Sequence, residues 1–131
     1  MKNTGTGVKR ILVVEDEAGI SQVCLRTLTS GGFEVYIAVN GVVAQNMLWG
    51  NDYALVIIDI RTPVMNGKEF YQYISEKHPK LAHRVIFTTG DVVDSNTARF
   101  LEQSGRPFLP KPFTPNELKI IVRETLRQME K

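Results

Sequence analysis

Short apolar runs, each closed by a polar or charged residue, alternate along this chain with segments whose apolar residues recur at helical spacing. Ile11-Leu12-Val13-Val14 runs into Glu15-Asp16-Glu17, Leu55-Val56-Ile57-Ile58 into Asp59, Val85-Ile86-Phe87 into Thr88-Thr89-Gly90, and Phe108-Leu109 into Lys111-Pro112. Runs of this length without polar alternation fit strands covered on both faces, as in parallel sheets. Between them Ile20, Val23, Cys24 and Leu28 mark one helix, stopped by Gly31-Gly32. Val43, Ala44, Met47 and Leu48 mark a second, ending near Gly50-Asn51, and Phe70, Tyr71 and Ile74 a third, ending before Pro79. A weaker pattern spans about Val92 to Gln103. The last helix has the strongest start signal: Thr114-Pro115-Asn116-Glu117 sets a cap, an N1 proline and a capping-box glutamate in order, and Leu118, Ile121, Val122, Thr125, Leu126 and Met129 follow as a stripe.

With a further strand over Phe33 to Ala38, five strands alternate with five helices. That is the signature of a doubly wound α/β domain with right-handed crossovers. At 131 residues there is room for one such domain, burying roughly two-thirds of its unfolded surface. Residues 1–8 read as a flexible leader and 9–131 as the domain.

Composition narrows the classes. Charged residues at 23% and hydrophobic residues at 43% argue against disorder, and a net charge of +2 with dispersed basic residues argues against direct nucleic-acid binding. One cysteine, Cys24, allows no internal disulfide and no cysteine metal site; its place on a helical stripe makes it a core residue, and a reducing cytoplasmic setting follows as the expectation. No apolar run approaches the roughly 18 residues of a bilayer span, so no membrane insertion is expected. His78 and His83 read as surface residues, and Trp49 as packing at the end of the second helix.

Parallel strands carry the residues that follow them to one edge of the sheet, where ligands bind in open α/β folds. Asp59, the Glu15-Asp16 pair, Thr89 and Lys111 therefore converge. Carboxylates about 4 Å apart repel by roughly 4 kcal/mol at an effective dielectric of 20, so such a cluster calls for a counter-ion. A hard divalent cation suits it; Mg²⁺ takes one or two carboxylates and keeps open positions for phosphate oxygens. With Lys111 and Thr89 alongside, the pocket suits a phosphoryl group and Asp59 its nucleophile. Taken singly, each residue has a plainer role: Asp59 a turn acid, Glu15 and Asp16 helix-terminal acids, Lys111 a surface lysine, Thr89 a strand-end cap, Phe108 core.

The four segments 11–17, 55–67, 87–90 and 108–113, in this order, resemble the receiver (response-regulator) domain of two-component signalling, over nearly the whole chain from Lys9 to Met129. The resemblance implies a flavodoxin-like (βα)5 fold with strand order 2-1-3-4-5. It implies that Asp59 accepts a phosphoryl group from a histidine of a sensor kinase or phosphotransfer protein. It implies Mg²⁺, with Mn²⁺ as substitute, held by the carboxylates of Asp16 and Asp59, the backbone carbonyl of Arg61 and, mostly through water, Glu15. Thr89 takes the switch-hydroxyl position, Lys111 the phosphoryl-binding position with a cis bond to Pro112, and Phe108 the aromatic switch position. Two departures stand out: Glu15 where many members have aspartate, and Phe108 where tyrosine is frequent. The family also suggests a homodimer through the fourth helix, fifth strand and fifth helix. Such a domain catalyses its own phosphotransfer and slow dephosphorylation without being an enzyme in the turnover sense.

Three rivals remain on sequence grounds. A haloacid-dehalogenase-type phosphatase also uses a strand-end aspartate, but has a second aspartate two residues on, where Arg61 stands. A nucleotide or flavin module shares the sheet order, yet no glycine-rich loop follows Val14. A scaffold that never takes phosphate would not need the full acceptor set. The sequence ends soon after the last helix, which leaves a stand-alone regulator and a receiver of a larger protein as expectations; residues 102–113 lean toward hybrid histidine kinases.

Overall fold

The computed structural model of the protein describes residues 7–90 and 94–129. Five parallel strands, β1 (Arg10–Val14), β2 (Glu34–Ala38), β3 (Leu55–Asp59), β4 (Val85–Thr89) and β5 (Phe108–Pro110), form one sheet in the order β2-β1-β3-β4-β5. This is the expected doubly wound order, with the direction of winding reversing between β1 and β3. Six helices join them: α1 (Ala18–Ser30), α2 (Gly41–Met47), α3 (Gly67–Lys77), α4 (Pro79–Ala82), α5 (Ser95–Ser104) and α6 (Pro115–Met129).

Strand residues alternate between two cores, because successive side chains leave opposite faces of a pleated strand. Leu12, Val14, Val56, Ile58 and Phe87 meet Ala44, Phe70 and Ile74 from α2 and α3 on one side. Ile11, Val13, Leu55, Ile57 and Ile86 meet Cys24, Leu28, Leu118, Val122 and Leu126 from α1 and α6 on the other. At roughly 25 cal/mol per Å² of apolar surface, these two layers supply the main force that holds the strand ends in register.

Several expectations need correction. Pro79 does not merely stop α3; it opens the four-residue α4 as its first residue, where the missing N–H costs nothing, so the described residues form six helices and not five. Trp49 does not pack at the end of α2: α2 ends at Met47, and the indole is 75% exposed. His83 is exposed as expected, but His78 is half-buried, its ring 5.6 Å from that of Tyr73. On α1, Cys24 and Leu28 are buried while Val23 stays half-exposed. Strand β2 starts at Glu34, one residue later than expected. The expected helix start at Val92 and residues 1–6 of the leader lie outside the described residues; α5 is described from Ser95.

The capping box of α6 forms as expected: the Glu117 N–H donates to Thr114 Oγ1 at 3.1 Å and the Thr114 N–H to Glu117 Oε1 at 2.8 Å. A second box, between Asn66 and Glu69, starts α3. It was legible in Asn66-Gly67-Lys68-Glu69 and is the device that turns the chain from β3 into α3.

Candidate functional site

The site is assembled by strand order. The central neighbours β1 and β3 place Glu15 and Asp59 side by side, and β4 and β5 add Thr89 and Lys111 from the flank. Asp59 is the last residue of β3 and is 3% exposed. Its Oδ1 accepts the Arg61 N–H at 3.1 Å, which fixes one carboxylate oxygen and leaves Oδ2 toward the groove. Glu15 follows β1 directly, is 2% exposed, and is tied by its own N–H to the Ala38 carbonyl at 2.9 Å. Thr89 ends β4 fully buried, and its carbonyl accepts the Lys111 N–H at 3.0 Å. Lys111 precedes a cis peptide bond to Pro112, as the resemblance implied.

The Lys111 ammonium is the centre of the cluster. Its Nζ lies 2.9 Å from Glu15 Oε1, 2.9 Å from Glu17 Oε1 and 3.1 Å from Asp59 Oδ2. One cation thus meets three carboxylates, two of them buried. Burial works against charging Lys111, but its bonds to Glu15 and Glu17 and the charges of Asp59 and Glu15 outweigh it, and its pKa rises above that of an ordinary lysine. Burial, helped by the charge on Asp59, pushes Glu15 up to about 7 against the pull of its bonds to Lys111 and the Glu17 N–H. Cys24, on the face below, is pushed up to about 12 by burial and by the charge on Glu15, and is not a nucleophile at neutral pH.

Carboxylate oxygens of Glu15, Glu17 and Asp59 all lie within 4.8 Å of one another. This acidic cluster has an all-oxygen donor set compatible with a hard divalent cation such as Mg²⁺. The expected partner Asp16 stands differently: its side chain is exposed and outside that cluster, but it lines the same open groove of about 340 Å³ with Glu17, Asp59, Arg61, Thr89 and Lys111. Glu17 is the residue that sequence spacing missed. It is the N-cap residue of α1, yet its side chain makes no capping bond; it turns to Lys111.

Two further features shape the rim. Arg61 Nη2 reaches Asp94 Oδ2 at 3.3 Å, and Asp94 in turn caps α5 through Asn96 N–H and Thr97 Oγ1. This joins the loop after Asp59 to the start of α5. Close approach explains Gly67, since a Cβ there would stand 2.6 Å from Ile60 Cα and 2.7 Å from the Asp59 carbonyl oxygen. Only glycine lets α3 begin so near the end of β3. Phe108 is half-buried, opposite Phe87 in the β4–β5 register.

Comparison with known proteins agrees with this geometry. The family model described as the response regulator receiver domain matches residues 11–123. The chain is 33% identical over 121 residues to the response regulator Rre1 of Synechocystis, covering 92% of this chain and 52% of that protein. It is 29% identical over 127 residues to the sensor kinase CckA of Brucella abortus, covering 95% of this chain and 13% of the kinase. The chain thus spans about half the length of the first relative and a small part of the second. A CheY-like response regulator receiver domain protein from Methanospirillum hungatei superimposes with a TM-score of 0.86 at 26% identity, over 95% of this chain and 98% of that one. With the sheet order, the strand-end residues and a family match over most of its length in agreement, the chain belongs to the response regulator receiver domain family.

Proposed function

We propose that Asp59 is the phosphoacceptor of this receiver domain and that the phosphoryl group comes from a phosphohistidine of a sensor kinase or phosphotransfer protein. The observation that carries the assignment is the pairing of the buried Asp59 Oδ2 with Lys111 Nζ at 3.1 Å, on the edge that Thr89 also reaches. A carboxylate oxygen of Asp59 attacks phosphorus, the P–N bond breaks, and its electron pair returns to the imidazole nitrogen of the donor. Lys111 faces the charge on the transferring oxygens and Thr89 offers a hydroxyl hydrogen bond to the product. Asp16, Asp59, the Arg61 carbonyl and, through water, Glu15 would hold Mg²⁺ or Mn²⁺, which would supply neutralisation of the phosphoryl charge. Glu17, 2.9 Å from Lys111 Nζ, holds that ammonium beside the site.

In this reading the domain works in the cytoplasm as a signalling module, catalysing its own phosphotransfer and slow dephosphorylation. Among the described residues no helix is long and apolar enough to cross a membrane. The face of α5, β5 and α6 is the candidate for homodimer contact, and the partner or attached domain that reads the switch is contacted by protein surface and not through nucleic acid. Similarity to a segment of a sensor kinase keeps an origin in a hybrid histidine kinase as part of the proposal.

Acetyl phosphate with Mg²⁺ tests the acceptor. Intact-mass measurement is expected to show one added phosphoryl group on the wild type and none on Asp59→Asn. A stable phosphoryl adduct on the Asn variant removes Asp59 from the role.

A further inference from the structure

At the opposite, amino-terminal edge of the sheet, about one strand length (~17 Å) from Asp59, an open groove of about 430 Å³ runs between the C-terminal part of α1 and α6. Its floor is apolar, made by Leu28, Phe33, Val122 and Leu126, and Thr27 and Ser30 bring hydroxyls from α1. The remaining rim is cationic. Lys119, Arg123 and Arg127 recur at i, i+4 and i+8 along α6, and Lys9, just before β1, completes the set. Among the described residues no acidic side chain lines the groove.

These cations differ from the others of known role. Arg10 pairs with Glu34, Arg61 with Asp94, and Lys111 with three carboxylates. Lys9, Lys119, Arg123 and Arg127 are all exposed, and among the described residues none of them makes an ion pair. Even Glu124, three residues before Arg127 and well spaced to pair with it, does not. Like charges at four-residue spacing weaken a helix, so the stripe is a standing cost to α6 in the free protein.

We propose that this groove docks an acidic amphipathic helix of a partner protein. The three α6 cations stand about 6 Å apart along the helix axis, a line of about 12 Å. A line suits an extended polyanion; a compact phosphate needs cations converging on a point. Carboxylates at i, i+4 and i+8 of a helix laid along α6 repeat with the same period, and the two arginines can each take a carboxylate through two N–H groups. Apolar residues between those acids cover the floor. The site is separate from the Asp59 edge and does not depend on the phosphoacceptor assignment.

The test uses a fluorescent synthetic peptide of about 18 residues, long enough to be helical, with Glu at every fourth position and Leu beside it, against a scramble of the same composition. Anisotropy is measured at low and high salt with the wild type, with Arg123→Gln/Arg127→Gln and with Lys119→Gln; melting curves confirm that each variant is folded. Expected are saturable binding to the wild type, weakening with salt, and a loss of roughly tenfold or more, about 1.4 kcal/mol, both for the scramble and for the double variant. Equal binding of the scramble, or undiminished binding by the double variant, overturns the proposal. So does tighter binding of inorganic triphosphate or of phosphatidylglycerol vesicles through the same residues, which would make the occupant a small anion or a membrane surface.

Discussion

Lys111 and Asp59 meet at 3.1 Å across the gap between β5 and β3, two strands that are not neighbours in the sheet. The ammonium spans the end of β4 and gathers Glu15 and Glu17 as well, so one side chain balances three carboxylates.

Removing that ammonium should therefore expose the repulsion among the carboxylates. Lys111→Met in magnesium-free buffer is expected to lose about 3 kcal/mol of stability at pH 8, the scale for breaking one partner out of a buried ion pair, and distinctly less at pH 5, where Glu15 takes up its proton. Acetyl phosphate labelling should fall by roughly tenfold or more. Urea titrations at the two pH values check the first part; an equal loss at both would show that Lys111 acts there by packing alone.

Glu15 carries a pH dependence of its own. Its pKa rises from 4.5 to about 7 on folding, chiefly through burial. A carboxyl raised in the folded state favours folding while protonated, and that contribution is lost as pH rises from about 4.5 to about 7. The raised pKa of Lys111 acts only at the alkaline end, above 10.5. Without magnesium, Glu15→Gln should thus match the wild type near pH 5 and exceed it at pH 8 by up to about 3 kcal/mol, from roughly 1.4 kcal/mol per pKa unit. Melting temperatures across that range decide it, and curves that stay parallel would place the titration elsewhere.

Val64 supplies a test of strain beside the site. It is 80% exposed and has φ 70, a left-handed backbone that suits β-branched residues poorly. The conformation costs about 1–2 kcal/mol, and glycine returns roughly 0.5–1 kcal/mol of that as chain entropy. Val64→Gly is expected to stabilise the fold by about 0.5–1 kcal/mol. Denaturant midpoints measure this, and a clear destabilisation would mean that the side chain contributes more than its exposure suggests.

What the sequence reveals about this fold follows the physics of each signal. The strands were legible because both faces are covered, so Ile11 to Val14 and Leu55 to Ile58 are apolar without interruption. The helix α4 was not, because a proline at N1 and a proline after a stop look the same in one dimension. Strand ends named Asp59, Glu15, Thr89 and Lys111 correctly as neighbours on one edge. Which of Asp16 and Glu17 turns toward Lys111 depends on the backbone of a short loop, and spacing does not encode it. The bridge from Arg61 to Asp94 joins residues 33 apart and has no local pattern at all. Trp49 misled because a large aromatic at a helix end suggests burial, whereas this one follows α2 into an exposed turn.

A charge placed on Asp59 is expected to reach the surface by way of Thr89. A phosphoryl group brings about two negative charges, and the Thr89 hydroxyl, fully buried at the end of β4, is the donor positioned to meet them. Movement of Thr89 would free space beside β4, where Phe108 lies in register with Phe87, and Phe87 in turn stands edge-on to Phe100 of α5 at 5.2 Å between ring centroids. Phe108 is half-buried and lacks the hydroxyl that would anchor a tyrosine, so its inward and outward rotamers differ only by packing. The phosphoryl group can shift that balance only through its different interaction with the two states. Beryllofluoride with Mg²⁺ is therefore expected to move the ring resonances of Phe108 and Phe100 together with the backbone amides of α5, from a starting state in which the inward rotamer of Phe108 is already partly populated. Thr89→Ala should remove the response of Phe108 while leaving beryllofluoride bound at Asp59. Unchanged Phe108 and α5 signals in the saturated wild type would show that the two ends of this path are not coupled.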